Sequence, residues 1–90
     1  MNLSPQQALL VKEDQEKLVD IDQIIVGDTV FVKPGEQVPI DGIIIDGVST
    51  IDCSMVTGES LPVKVGVKSS VIGGTMNKNG AFKMIVTKIG

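Results

Sequence analysis

Residues 41–47 read Asp-Gly-Ile-Ile-Ile-Asp-Gly, and this stretch limits the fold more than any other. Three consecutive isoleucines are stiff at χ1 and suit a pleated surface, while an Asp-Gly pair on each side favours a turn over helix continuation. The segment predicts a short strand, Ile43 to Ile45, buried at the centre of a sheet. Similar punctuation recurs at Pro34-Gly35 and Asn79-Gly80, within a total of ten glycines and four prolines. Many short strands joined by tight turns follow, hence an all-β fold. Hydrophobic residues make up 42% of the chain but aromatic ones only 2%, Phe31 and Phe82, so the core is aliphatic and rich in Val and Ile.

Taken in order, residues 1–7, with Ser4-Pro5, predict a loose lead-in or the tail of an element lying mostly upstream. Ala8 to Val11 predicts a strand, Glu13 to Glu16 a charged hairpin turn and Leu18-Val19 its return. Asp20 to Val26 is compatible with a short strand or with one helical turn capped by Asp22. Gly27-Asp28 and Pro34-Gly35 are turns, and between them Val30 and Val32 face one side and Phe31 the other. Pro39 assigns Val38 to Ile40 to an edge or bulge. Val63, Val65 and Val67 alternate with Lys64, Gly66 and Lys68 as a solvent-faced strand. Gly73-Gly74 permits close backbone approach, Asn79-Gly80 is the strongest hairpin signal, and the strand from Phe82 to Ile89 turns Phe82, Met84 and Val86 inward and Lys83 and Thr87 outward.

Ninety residues are enough for one small domain, read as 1–90 with its β core from about residue 8. A formal charge of −3, no His and almost no aromatic surface argue against a nucleic-acid partner. Cys53 is the single cysteine and reads as a small, half-buried side chain rather than a reactive thiol. Asp41, Asp46 and Asp52 each adjoin a turn and read as caps for turn N–H groups rather than metal ligands. No apolar run reaches the roughly 18 to 20 residues that span a bilayer, and no signal peptide opens the chain, so this piece is expected to be soluble and monomeric. One loop stands apart. Thr57-Gly58-Glu59-Ser60 sets a carboxylate between two hydroxyls on a glycine hinge, where Glu59 could orient a water or take its proton, or where the four residues could form a plain surface turn.

Val26-Gly27-Asp28, Pro34-Gly35-Glu36 with Val38-Pro39 and Asp41-Gly42, Asp52 through Val63, and Gly73 through Gly80 occur in one order. Together they resemble the actuator domain of P-type cation-transporting ATPases, closest to the heavy-metal branch and, within it, to bacterial copper pumps. The resemblance implies a distorted jelly roll, or double-stranded β-helix-like core, on the cytoplasmic side of the membrane, with the upstream helical part mostly absent. It implies that another domain forms an aspartyl phosphate from ATP with Mg²⁺, and that Glu59 positions the water that hydrolyses it. Thr57 and Gly58 would shape the approach, Gly58 by letting the backbone come close, and Ser60 belongs to the same catalytic set. The implied partners are the phosphorylation and nucleotide-binding domains and transmembrane helices of the same polypeptide, with a transported ion such as Cu⁺, or zinc or cadmium in related pumps. By itself the chain should neither bind a cofactor or metal nor hydrolyse ATP. Two readings compete with this one: the actuator domain of a zinc, cadmium or other cation P-type ATPase, and a β-rich interaction domain without chemistry. Two departures from the family pattern are Cys53, where Glu is usual, and Lys64 to Ser70, where acidic residues are usual.

Overall fold

Alternating aliphatic residues build the molecule from two antiparallel sheets. The computed structural model describes residues 7–54, 58 and 62–88. The expectations for residues 1–6, Thr57, Glu59, Ser60 and Ile89 lie outside the described residues. Strands β1 (Gln7–Lys12), β2 (Gln15–Asp20), β3 (Thr29–Val32), β4 (Asp41–Gly47), β7 (Ser70–Val71) and β9 (Phe82–Lys88) form a six-stranded sheet in the order β2-β1-β3-β9-β4-β7. Strands β5 (Ser49–Asp52), β6 (Pro62–Val65) and β8 (Met76–Asn77) form a three-stranded sheet in the order β6-β5-β8.

The core follows from strand periodicity. Val30 pairs with Met84, and Met84 with Ile44, so that one buried row crosses β3, β9 and β4. Val32 pairs with Phe82 beside it. All five side chains are buried, as is Val86, while Phe31 is half-buried on the opposite parity as expected. Each such side chain contributes about 1.5 to 3 kcal/mol relative to remaining exposed.

The first hairpin turns on Glu13-Asp14 alone, tighter than the four-residue turn expected. Both residues have positive φ, 52° and 63°, the pair a type I′ turn uses to match the twist of its strands. Ile21–Gln23 then forms a single 3₁₀ turn. Asp22 lies inside it rather than capping it, and Asp20 at the N-terminal position makes no side-chain cap bond. Gly27 and Gly35 take the left-handed conformations that their turns need, with φ of 98° and 83°.

Four further expectations are corrected. Strand β4 is not central: it lies between β9 and the two-residue β7, and of its three isoleucines only Ile44 is buried while Ile45 is 45% exposed. The two Asp-Gly pairs are not turns outside the strand but its two ends. Gly42 is there because a Cβ would lie 2.3 Å from the Ile85 carbonyl oxygen, and Gly47 (φ 99°) follows a register shift between Ile44 and Asp46. Asn79-Gly80 does not close a hairpin, since β8 pairs with β5 while β9 pairs with β3 and β4; it carries the chain from one sheet to the other. Crowding again explains the glycine, for a Cβ on Gly80 would lie 2.1 Å from the Val48 carbonyl oxygen. Finally, the Val63 to Val67 strand ends at Val65, because the Gly66 to Ser69 turn, with Lys68 at φ 78°, takes Val67 into solvent.

Candidate functional site

Strand β5 delivers the candidate loop and β6 receives it. The ladder pairs Ser49 with Val65, Thr50 with Lys64, Ile51 with Val63 and Asp52 with Pro62, so residues 53–61 emerge from the closed end of a two-stranded ladder. On its other side β5 is held by β8, through Ile51 opposite Asn77 and Asp52 opposite Met76. Ile51 is buried and anchors the strand, and half-buried Cys53 packs against the core, the small-side-chain role expected of it.

Asp52 organises the way out of β5. Its Oδ1 accepts the Ser54 N–H at 2.8 Å, an Asx-type bond that turns the chain from the strand, as its capping role requires. The hydrogen bonds from Ser54 hold the Asp52 carboxyl below the usual carboxylate range, helped by the nearby Lys78 ammonium and opposed by partial desolvation. Ser54 in turn accepts the Gly58 N–H at 2.9 Å on its backbone carbonyl, closing an i to i+4 turn. Gly58 has φ of 81°, is exposed, and has nothing within 4 Å of where a Cβ would stand. Its glycine is therefore required by backbone conformation and not by crowding, the reverse of Gly42 and Gly80. Of the four proposed site residues the structure places Gly58; Thr57, Glu59 and Ser60 are outside the described residues.

The remaining aspartates separate. Asp41 Oδ1 accepts the Gly73 N–H at 2.7 Å, capping a turn far along the chain rather than its own. Asp46 stands exposed on β4 opposite Lys83. Among the described residues no three His, Cys, Asp or Glu side chains converge as metal ligands.

Sequence reasoning missed Asn77, which is fully buried behind the ladder. Its Nδ2 donates to the carbonyls of Lys33 at 2.9 Å and Gly80 at 2.7 Å, and its Oδ1 accepts the Ser49 hydroxyl. The Ser49 Oγ accepts the Gly80 N–H at 3.0 Å. The backbone of Asn77 exchanges bonds with the Pro34-Gly35 turn, accepting from Gly35 N–H at 2.8 Å and donating to the Glu36 carbonyl at 2.9 Å. Only the spacing Gly73-Gly74-Thr75-Met76-Asn77, a close-packed turn leading into a polar residue, hinted at it.

Comparison with known proteins meets this geometry from outside. The family model of the P-type ATPase actuator domain matches residues 2–90. Copper-exporting P-type ATPases of Staphylococcus aureus, among them those of strains JH9 and Newman, are 48% identical over all 90 residues, which is 100% of this chain and 11% of each relative. Two crystal structures of zinc-transporting PIB-type ATPase in different states superpose with TM-scores of 0.90 and 0.89 at 27% identity. They cover 96% and 98% of this chain and 14% of each of theirs. The chain thus spans about a tenth of the length of the curated relatives it matches. Among the described residues no helix is long and apolar enough to cross a membrane. With the ordered motifs, the two-sheet body and a match along almost its whole length, the chain belongs to the P-type ATPase actuator domain family.

Proposed function

We propose that residues 1–90 act as the actuator domain of a copper-translocating P-type ATPase, with the loop Thr57-Gly58-Glu59-Ser60 driving hydrolysis of an aspartyl phosphate formed in another domain. The observation that carries this is Gly58: a left-handed, uncrowded glycine at an exposed position, tied by Ser54 and Asp52 to a strand anchored in the core. Such a loop is preorganised at its base and exposed at Gly58. In the reaction, water attacks phosphorus, the bond to the aspartyl oxygen breaks, and inorganic phosphate and a free carboxylate leave. Glu59 orients that water and takes its proton, while Thr57 and Ser60 flank the approach. ATP and Mg²⁺ serve the phosphorylation and nucleotide-binding domains of the same polypeptide, on the cytoplasmic face of the membrane. The isolated chain is accordingly inactive. Copper is favoured over zinc because the copper exporters are 48% identical, against 27% for the zinc-transporting structures.

The test is made in the intact pump. Glu59→Gln keeps the side chain's size but not its capacity to accept a proton. Phosphoenzyme should form from ATP in the presence of Cu⁺ and then decay at least about 100-fold more slowly than in the wild type. Wild-type decay would reduce the loop to a surface turn, and phosphorylation that answers to Zn²⁺ but not Cu⁺ would overturn the choice of ion.

A further inference from the structure

The candidate loop and most of the core lie on different sheets, joined by short connections, by backbone hydrogen bonds and by Ile51 in the shared core. Along the chain, Val48 lies between β4 and β5, Gly66 to Ser69 between β6 and β7, Ile72 to Thr75 between β7 and β8, and Lys78 to Ala81 between β8 and β9. Across that junction sits Asn77. It belongs to β8, in register with Ile51 at the root of the loop. Its side chain reaches the other way, to the Lys33 carbonyl just beyond β3 and the Gly80 carbonyl just before β9. Every polar atom of that side chain is used, and their chemistry fixes its orientation: the amide nitrogen faces carbonyls, those of Lys33 and Gly80 nearest and that of Val32 farther off, and the amide oxygen faces a hydroxyl. Ser49 completes the set from β5, donating to Asn77 and accepting from Gly80. A buried network satisfied at every atom specifies one arrangement of the parts it joins, because any other leaves desolvated groups unpaired.

We infer that Asn77, with Ser49, is a positioning residue for the hydrolytic loop: the pair fixes the three-stranded sheet, and so the root of residues 53–61, against the six-stranded body. This rests on the dephosphorylation reading proposed above. Hydrolysis of an acyl phosphate depends on alignment of the attacking water, and an error near 1 Å at the loop is enough to slow it. Asn77 touches neither water nor phosphate in this role.

The experiment follows phosphoenzyme made from labelled ATP in the intact pump, for wild type, Glu59→Gln, Asn77→Asp, Ser49→Ala and the double variant Asn77→Asp with Glu59→Gln. Asn77→Asp is isosteric but sets a carboxylate oxygen against the Lys33 and Gly80 carbonyls; Ser49→Ala is milder, removing only the hydroxyl. The decay rate is read, since it does not depend on how much protein is folded. Decay in Asn77→Asp should slow by about 10- to 100-fold, and in Ser49→Ala by a smaller factor in the same direction. The double variant should decay little more slowly than Glu59→Gln alone, because a misplaced loop cannot lose the same step twice. A reduced phosphoenzyme level that decays at the wild-type rate would make Asn77 purely structural and overturn the inference. Should Asn77→Asp yield no phosphoenzyme at all, wild-type decay in Ser49→Ala overturns it and slowed decay sustains it. Wild-type decay in Glu59→Gln would bring down the underlying reading, and is distinguishable because it concerns a different variant.

Discussion

The two sheets are stabilised in different ways. In the six-stranded sheet, β3, β9 and β4 bury a continuous aliphatic row of Val30, Met84 and Ile44, flanked by Val32, Phe82 and Val86. In the three-stranded sheet Ile51 is buried, but its ladder partner Val63 is 50% exposed and, among the described residues, β6 pairs with no strand other than β5. Beside Ile51, which shares the body's core, what ties that sheet down is polar: Ser49, Thr75 and Asn77, the buried polar residues of the molecule among those described, lie on it or next to β8. Apolar packing is tolerant of small shifts, whereas a hydrogen-bonded joint admits one geometry. The body thus supplies stability and the smaller sheet supplies direction to the loop.

Substitutions can break this comparison, and the largest effect belongs in the body. Ile44→Ala deletes a buried side chain from the central row and should destabilise the chain by about 2 to 5 kcal/mol in denaturant melts. A loss below about 0.5 kcal/mol would mean that β4 adds little to the core. At the junction, Gly80→Ala pushes a methyl group into the Val48 carbonyl and should cost about 1 to 3 kcal/mol, while Asn79→Ala beside it, exposed and not held by a turn requirement, should stay within about 0.5 kcal/mol. Equal effects would restore the hairpin-turn role that the Asn-Gly pair suggests. The smallest effect is at Asp52. Its folded carboxyl titrates below the ordinary value near 3.9, so its bond to Ser54 is fully stabilising above that value and is lost as pH falls through the depressed folded one. Comparing melts of wild type and Asp52→Asn from pH 6 down to pH 2 should show a stability difference that shrinks on acidification. A difference independent of pH would remove the charge from the account.

Why some of this was legible in the sequence and some was not has a physical basis. Period-two alternation at Val30-Phe31-Val32 and at Phe82 to Val86 specified faces correctly, because a strand with one buried side has no other way to dispose of its aliphatic residues. Glycine was ambiguous. The same residue type serves a left-handed turn at Gly35 and a close contact at Gly42 and Gly80, and a sequence does not distinguish absence of steric conflict in the backbone from absence of space for a side chain. For that reason two Asp-Gly pairs and one Asn-Gly pair look like turns in the sequence, while the left-handed pair at Glu13-Asp14, which contains no glycine, looks only like part of a longer one. Asn77 was illegible for a different reason: a buried amide and a solvated one are spelled alike, and its partners come from residues 33, 49 and 80. At the candidate site, chemistry and resemblance single out Glu59 and the sequence marks Gly58 as a hinge, whereas the left-handed φ and the open surroundings that explain the glycine belong to the structure.

The measurement that bears most directly on this division is made at Gly58. Gly58→Ala meets no atom within 4 Å but forces an L residue toward φ of 81°, so its melt should shift by no more than about 1 to 2 kcal/mol and leave the body folded. In the intact pump the same substitution should leave phosphoenzyme formation in place and slow its decay by at least about 10-fold, since the loop's geometry, not the body's packing, sets that step. Decay at the wild-type rate would contradict the account.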